Sequence, residues 1–290
     1  MKEEKRRHGD RRDGALLRDL DAMHFIMPVI YPNRCDNEAF ISERIDMRPL
    51  SQWLEKKNAE NPDFHYTMFH VIVAAILKTI LLRPKMNRFI ANRNLYQRNR
   101  LSAAFVVKKQ FADDGAEALA FVYAEPNDTV ESIHEKIRQQ VQSCRSEKLD
   151  PSSESMNIVS SLPRWLGHGI ARFAVWLDRH GWCPNAFIAS DPYYASVVLS
   201  NLGSIGLKSG YHHLTNWGTN SIFCAVGERK MRPYCCEDGT TEMRESVELG
   251  LTIDERIADG YYYSGTVRLL KKLLEEPELL EKPFSEEVSY

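Results

Sequence analysis

Apolar residues along the chain recur with two different periods. Residues 247–253 (VELGLTI) carry an apolar side chain at every second position, which is typical of a half-buried strand. Between residues 66 and 83 apolar side chains recur every three or four positions on nearly every side, and Pro84 follows. This pattern predicts a long helix that lies between a sheet and other structure, and that ends at the proline.

Shorter periodic segments predict further strands and helices. Strands are predicted at residues 39–47, 89–97, 101–109, 118–124, 195–199 and 221–227, with 89–97 and 101–109 paired. Helices are predicted to start near Pro49, Asp128, Leu162 and Ser264. The apolar run Ala22–Tyr31 contains Pro28 and predicts an extended segment. Since strands and helices mix without strict alternation or an internal repeat, we expect an α/β two-layer sandwich with a mixed β-sheet.

The helix predicted at residues 162–177 has one strongly apolar face. That face is formed by Leu162, Trp165, Leu166, Ile170, Phe173 and Leu177. Charged residues in and after the helix, including Arg164 and Arg172, argue against insertion into a membrane. We therefore expect a core helix or a helix that contacts another subunit.

Composition and charge narrow the class of protein. The 290 residues are 43% hydrophobic and 27% charged with a net charge of -2, which gives no reason to expect nucleic acid or a membrane as a partner. Six basic residues within residues 2–12 are interleaved with acidic ones. We expect a flexible arm over residues 1–21, with a docking segment as the alternative, followed by one domain over residues 22–290.

The cysteines and the N-terminus indicate a cytoplasmic protein. Six cysteines are scattered without C-x-x-C spacing, which favours reduced thiols over a disulfide framework. The adjacent Cys235 and Cys236 leave metal binding or redox sensing open as a minor alternative, but we expect no metal. No signal peptide is visible, and Lys78 and Arg83 interrupt the longest apolar stretch, so we expect no membrane span.

Three segments, in this order, carry a family resemblance. They are the helix region 67–88, the loop 200–206 (SNLGSIG) and the turn 254–260 (DERIADG) ahead of a leucine-rich helix. Together they resemble the catalytic domain of 2-oxoacid dehydrogenase acyltransferases (the E2 subunits) and chloramphenicol acetyltransferase. The family's turn has the form D-H-R-x-x-D-G, so six of the seven positions are compatible. The seventh is the catalytic histidine, and here it is Glu255.

The resemblance implies a chloramphenicol acetyltransferase-like fold and acyl transfer between coenzyme A and a thiol or hydroxyl acceptor. By position, Ser200 would stabilise the oxyanion, Glu255 would stand where the base stands, and Asp259 would be a structural carboxylate. The remaining assigned residues are Arg34 as the partner of Asp259, Gly260 in the turn, and Asn201 and Gly203 at the coenzyme. Ser200 has an alternative role as a turn serine that bonds its own backbone.

A glutamate at position 255 changes the chemistry that can be expected. Proton transfer from a thiol with a pKa of ~8.5 to a glutamate with a pKa of ~4.3 is uphill by about 5–6 kcal/mol, against about 3 for histidine. Such a difference costs roughly a hundredfold or more in rate. Burial can raise the pKa of a carboxyl and recover part of this. We expect weak or altered activity, or none.

Two adjacent histidines follow the SNLGSIG loop. His212 and His213 lie in a region that the resemblance places beside the base, so His213 or His212 could be a relocated base oriented by Glu255. The alternative is that one histidine packs and the other caps a backbone group.

The sequence therefore favours an acyl-CoA-dependent acyltransferase of weak or altered activity. The alternatives are a catalytically inactive homologue that acts as a binding or scaffold protein, and a thioesterase. Family members imply a homotrimer or larger homo-oligomer with sites between subunits and a small-molecule or carrier-borne acyl acceptor. We expect no covalent lipoyl group on this chain, because the ~40 residues before the first strand are too few for a lipoyl domain.

Overall fold

The computed structural model describes residues 6–60, 64–108, 117–145 and 161–290, and two sheets organise these ranges. The strands are β1 (Gly14–Leu16), β2 (Glu38–Asp46), β3 (Arg88–Ala91), β4 (Asn94–Arg98), β5 (Leu101–Lys108), β6 (Glu117–Ala124), β7 (Val197–Asn201), β8 (Ile222–Val226), β9 (Lys230–Cys235) and β10 (Thr241–Asp254).

The larger sheet is mixed, as predicted. Its strand order is β2-β10-β8-β7-β5-β6, and β9 pairs with the first half of β10. β7 runs parallel to β5 and β8, while the other pairs are antiparallel. β10 is the longest of these strands and pairs with β2 on one side and β8 on the other. Leu251 therefore lies opposite both Ile41 and Cys224. The smaller sheet has the order β1-β4-β3.

Helices cover one face of the larger sheet. The helices of the described ranges are α1 (Ala22–Ile30), α2 (Arg48–Glu60), α3 (Met68–Leu82), α4 (Val130–Arg145), α5 (Arg164–Arg179), α6 (Asn185–Ser190) and α7 (Gly260–Glu275). Those that pack on this face are α2, α3, α4 and α7. Apolar side chains of α2, α3, α4 and α7 form the core with alternate residues of the sheet, such as Leu249, Leu251 and Ile253. α3 contacts α4, α7 and β5, which explains why it is apolar on nearly every side.

The segment 207–218 crosses part of the opposite face of the sheet, over β8 and β10. Two glycines allow the close approach. A Cβ on Gly227 would lie 2.4 Å from the backbone nitrogen of Ser209, and one on Gly250 would lie 2.1 Å from the carbonyl oxygen of Gly210. Side chains at these two strand positions would lift the segment from the sheet.

Two predicted elements are wrong. Residues 22–30 form a helix, because Asp21 caps its first turn by accepting from the backbone N–H of His24 at 3.0 Å, and the helix packs against β4. Residues 89–97 are a hairpin rather than one strand, because Asn92 and Arg93 adopt positive φ angles of 45° and 63°. Two such residues make the tight turn that suits a two-residue hairpin loop. The predicted pairing of residues 89–97 with 101–109 is also wrong, because β5 pairs with β6 and β7 in the larger sheet.

Residues 11–16 of the expected arm contact the rest of the protein. Gly14–Leu16 pairs with β4, and Arg11 is buried between the carboxylates of Asp13 at 2.9 Å and Asp178 at 3.0 Å. Burial acts to lower the pKa of Arg11, but the two carboxylates outweigh it and raise that pKa. The boundary of the main domain at residue 22 stays a prediction. Within the described ranges, no helix combines the length and apolar character needed to cross a bilayer.

Two buried histidines join α3 to α4. Thr67 caps α3 by accepting from the N–H of His70, and the His70 ring accepts from the N–H of Thr67 in return. Nδ1 of His134 lies 3.0 Å from Nδ1 of His70, and its Nε2 lies 3.0 Å from the carbonyl of Phe64. Burial, reinforced by His134, lowers the pKa of His70 to about 3. Burial also lowers the pKa of His134.

These histidines make the fold acid-sensitive. Because the folded-state pKa of His70 lies below its ordinary value of ~6.5, the unfolded chain binds more protons between pH 6.5 and about 3. Stability is therefore present above pH 6.5 and falls as the pH falls. We expect His70→Gln to reduce this slope by up to about 1.4 kcal/mol per pH unit, measured by urea unfolding from pH 7 to 4. Glutamine keeps the capping interaction, so parallel curves would contradict the assignment.

Candidate active site

A buried carboxylate stands at the end of β10. Asp254 is 0% exposed and caps the short turn Glu255–Ile257 by accepting from the N–H of Arg256. The guanidinium of Arg256 donates from Nε to Oδ1 at 2.8 Å and from Nη2 to Oδ2 at 2.7 Å. Its Nη1 donates to the carbonyl of Tyr31 at 2.6 Å. A bidentate pair of this kind fixes both orientation and charge.

A second arginine faces the same carboxylate. Nε of Arg34 lies 3.7 Å from Oδ2 of Asp254. The other nitrogens of Arg34 donate to the carbonyls of Thr215 at 2.6 Å, Ile90 at 2.8 Å and Gly218 at 3.1 Å. Burial lowers the pKa of Arg34, Asp254 opposes this effect, and Arg256 adds to it. The pair therefore ties the 215–218 loop and the smaller sheet to the end of β10.

The predicted pairing of Arg34 with Asp259 is wrong, because the carboxylate opposite Arg34 is Asp254. Asp259 is exposed and caps α7, accepting from the N–H of Tyr262 at 2.8 Å, and this bond lowers the pKa of Asp259. Gly260 opens α7 with free space around its α-carbon. The sequence feature that could have identified Asp254 as the partner of Arg34 is its position at the end of a buried strand, two residues before Arg256.

Glu255 is exposed on the short turn after β10. Its backbone N–H donates to the carbonyl of Asn37 at 2.9 Å, which fixes the turn. Among the described residues its carboxylate makes no hydrogen bond or ion pair, because Arg256 is turned inward to Asp254. The arginine next to it in the sequence therefore leaves this carboxylate exposed to solvent.

Ser200 lies near the end of β7, on the sheet face away from the helices. It is partly exposed and pairs with Ala225 of β8. Its hydroxyl has no hydrogen-bond partner among the described residues. The local side-chain bond in this loop is made instead by Ser204, whose hydroxyl donates to the carbonyl of Asn201 at 2.7 Å. The alternative of Ser200 as a turn serine bonding its own backbone is not observed.

The two residues predicted at the coenzyme shape the SNLGSIG loop. The side-chain oxygen of Asn201 accepts from the N–H of Ser204 at 3.2 Å and caps the short turn Leu202–Ile205. A Cβ on Gly203 would lie 2.4 Å from the carbonyl oxygen of Gly227, so only glycine fits there. Their visible contacts are structural, and contact with coenzyme A stays a prediction.

Ser200 and Glu255 are far apart within one chain. Ser200 lies opposite Ala225, Ala225 lies opposite Gly250, and Glu255 follows Gly250 by five residues. At about 3.4 Å per residue along the strand and about 4.8 Å between strands, their α-carbons are roughly 20 Å apart. A site that uses both residues therefore requires two subunits.

His213 lies at the same end of β10 as Glu255. The next residue, Leu214, donates its N–H to the carboxylate of Glu38, which lies opposite Asp254 in the sheet. The ring of His212 stacks on Phe223 at 4.2 Å, so this histidine packs. His213 is exposed and stacks on His212 at 4.5 Å. No hydrogen bond joins His213 to Glu255 among these described residues.

A surface cavity of about 350 Å³ lies elsewhere. It is lined by Tyr66, Thr129, Glu131, Ser132, His134 and Glu135. None of the predicted site residues contributes to it.

Comparison with known families confirms the resemblance predicted from the sequence. The model for the 2-oxoacid dehydrogenases acyltransferase (catalytic domain) matches residues 189–281, the part of the chain that holds both the SNLGSIG loop and the DERIADG turn. A search of curated protein sequences finds no match.

Solved structures show the same fold. The cubic core of the pyruvate dehydrogenase multienzyme complex is 15% identical with a TM-score of 0.60, covering 92% of this chain and 94% of that one. The Azotobacter vinelandii dihydrolipoamide acetyltransferase, investigated for a serine, a histidine and an asparagine in its catalytic mechanism, is 16% identical with the same TM-score and coverages. Chloramphenicol acetyltransferase is 13% identical with a TM-score of 0.56, covering 90% and 99%.

The charge arrangement at the turn predicts unequal effects of two neighbouring substitutions. Asp254→Asn removes the carboxylate between two buried arginines, and we expect it to lower the free energy of unfolding by about 3–5 kcal/mol. Glu255→Gln changes an exposed, unpaired side chain and should change stability by less than about 0.5 kcal/mol. Urea unfolding of the two variants checks this, and equal stabilities would contradict it.

Proposed function

We propose that this chain, which has the fold of the E2 and chloramphenicol acetyltransferase catalytic domains, is an acyl-CoA-dependent acyltransferase whose active site is shared by two subunits. The resemblance of the turn 254–260 supports Glu255 as the residue in the place of the family's histidine. One subunit contributes Ser200 and its neighbour contributes Glu255, with coenzyme A as a substrate and a thiol or hydroxyl as the acyl acceptor. The approximately 20 Å between these residues in one chain supports the shared site.

The observation that carries the proposal is the free carboxylate of Glu255. Two arginines lie close by, and both are engaged by Asp254. A Glu255 neutralised by Arg256 could not accept a proton and would favour a purely structural role. An exposed carboxylate on a fixed turn is instead available as a general base.

The reaction requires one proton transfer in each direction. Glu255 takes the proton of the acceptor thiol or hydroxyl as the acceptor's sulfur or oxygen attacks the thioester carbonyl. The hydroxyl of Ser200 donates a hydrogen bond to the oxyanion of the tetrahedral intermediate. The intermediate then expels the sulfur of coenzyme A, which receives the proton from Glu255. Closure of a second subunit over the carboxylate excludes water from the site, which strengthens the electrostatic interactions inside it.

Helix α1 offers a surface for the second subunit. Its exposed apolar side chains are Met23, Phe25, Ile26, Val29 and Ile30. The helix contacts the turn that bears Glu255, and Arg256 donates to the carbonyl of Tyr31 just after the helix. A subunit packed on α1 would therefore border the candidate base. This supports a homotrimer or larger homo-oligomer.

A second candidate function is that of an inactive homologue that binds acyl-CoA or partner proteins as a scaffold. Two observations favour it. Glutamate stands in place of the family's histidine, and no hydrogen bond joins His213 to Glu255 among the described residues.

Single substitutions separate the two candidates. We expect the wild type to release thiol from a panel of acyl-CoAs in the presence of a thiol acceptor, and Glu255→Ala to lose at least tenfold of that rate. His213→Ala should change the rate less, because His213 makes no hydrogen bond to Glu255. Activity that is absent from the wild type and appears only with Glu255→His would support the inactive homologue.

Mixing two inactive variants tests the shared site. Ser200→Ala and Glu255→Ala should each be inactive alone. Co-refolded in one oligomer, they create some interfaces in which an intact Ser200 faces an intact Glu255, and we expect partial recovery of thiol release. The control is the double variant, which carries both Ser200→Ala and Glu255→Ala on every chain and is refolded alone. None of its interfaces pairs an intact Ser200 with an intact Glu255. No recovery from demonstrably mixed oligomers would place the two residues in separate sites.

A further inference from the structure

Helix α5 presents its apolar face to the outside. Trp165 is 77% exposed and Phe173 is 59% exposed, and Leu166, Ile170 and Trp176 are exposed as well. Of its residues, Gly167 and Asp178 are buried. The expectation of a core helix is therefore wrong.

The basic residues of α5 and most of its large apolar residues occupy neighbouring arcs, and the exception is Val175, which is 37% exposed within the basic arc. At 3.6 residues per turn, the large apolar side chains from Trp165 to Ile170 span an arc of roughly 140°. A basic arc of about 80° borders it directly. It is formed by Arg164, His168, Arg172 and Arg179, all exposed. Such segregation is typical of a helix that lies in the plane of a membrane surface.

The one acidic residue of α5 is withdrawn from this surface. Asp178 is buried, pairs with Arg11 at 3.0 Å, and accepts from the hydroxyl of Tyr194 at 2.8 Å and the N–H of Gly218 at 3.2 Å. The exposed charged side chains of the helix are thus all basic, although the whole chain has a net charge of -2. The same contacts fix the end of the helix rigidly to the body of the protein.

Aromatic residues extend the apolar face past the end of the helix. Trp182 is 56% exposed and contacts Trp176 edge to face at 5.2 Å. Trp176 also stacks on Phe173 at 5.8 Å. Tryptophan favours the boundary between lipid headgroups and acyl chains, where its ring is buried and its N–H stays hydrated.

The charges on α5 disfavour a dimer in which the apolar face of α5 packs against the same face of a second copy. Antiparallel packing of two such faces would bring the basic arcs to the same side of the contact, and α5 has no exposed carboxylate to pair with them. Like charges in such positions are destabilising. Helix α1 differs, because its apolar face carries no basic side chain and suits a contact between subunits.

We propose that α5 docks the protein onto an anionic lipid surface as a peripheral helix. Trp165, Phe173 and Trp176 enter the boundary of the acyl chains, while Arg164 and Arg172 contact anionic headgroups. The helix does not cross the bilayer. This inference stands apart from acyl transfer, since it concerns a surface that holds none of the proposed catalytic residues.

The test is co-sedimentation of the full-length protein with vesicles of phosphatidylcholine alone and with about 30% phosphatidylglycerol. We expect binding to the anionic vesicles, weaker binding to the neutral ones, and a blue shift of tryptophan fluorescence. The double variant Trp165→Ser/Phe173→Ser should lose at least tenfold in affinity. Met231→Ser/Tyr234→Ser removes two exposed apolar side chains on β9 and should bind as the wild type does.

Two further variants separate the charge from the apolar contribution. Arg164→Gln/Arg172→Gln should weaken binding to anionic vesicles severalfold and leave binding to neutral ones unchanged, whereas Arg268→Gln on exposed α7 surface should have a smaller effect. Gly169 lies on the apolar arc with free space around it, so Gly169→Leu should tighten binding. Circular dichroism checks that each variant is folded.

Absence of binding to anionic vesicles by the folded wild type would overturn the proposal. Equal affinity for neutral and anionic vesicles would also contradict it. Light scattering tests the alternative that a second copy of the chain covers α5. That alternative holds if the wild type binds no vesicles and Trp165→Ser/Phe173→Ser changes the oligomeric state.

Discussion

A single buried carboxylate, Asp254, holds the candidate site together. It neutralises Arg256 and the more distant Arg34, and these arginines bind four carbonyl groups from three separate parts of the chain. Removing a buried charge from such a set costs more than the bonds themselves contribute, because the partners are left unpaired. The turn after Asp254 is consequently rigid, and its next residue, Glu255, points to solvent.

Within this short turn, the residues that stabilise the fold differ from the residue proposed to act on the substrate. Asp254, Arg256 and the cap residue Asp259 meet structural needs, whereas Glu255 meets none that is visible in the described residues. Ser200 shows the same pattern at the far end of the sheet, with a hydroxyl that has no described partner beside a loop held by Asn201 and Ser204. Two unengaged side chains roughly 20 Å apart are understandable if subunits bring them together.

The sequence predicted the fold well where local pattern and burial agree. The alternation in residues 247–253 and the stripe of α3 were sufficient, because each reflects one face against the core. It failed where long-range partners decide. Nothing near Arg11 indicates that Asp178 will bury it, and nothing near Arg34 distinguishes Asp254 from Asp259. The hairpin at Asn92 and Arg93 was missed because neither residue is glycine, the usual signal for positive φ.

An experimental structure of the oligomer with a bound acyl-CoA analogue tests the central claim most directly. The account predicts that Glu255 of one subunit and Ser200 of its neighbour both lie against the thioester, with Arg256 still paired to Asp254. An oligomer in which every Glu255 is remote from every Ser200, or in which Arg256 has turned to Glu255, would contradict it.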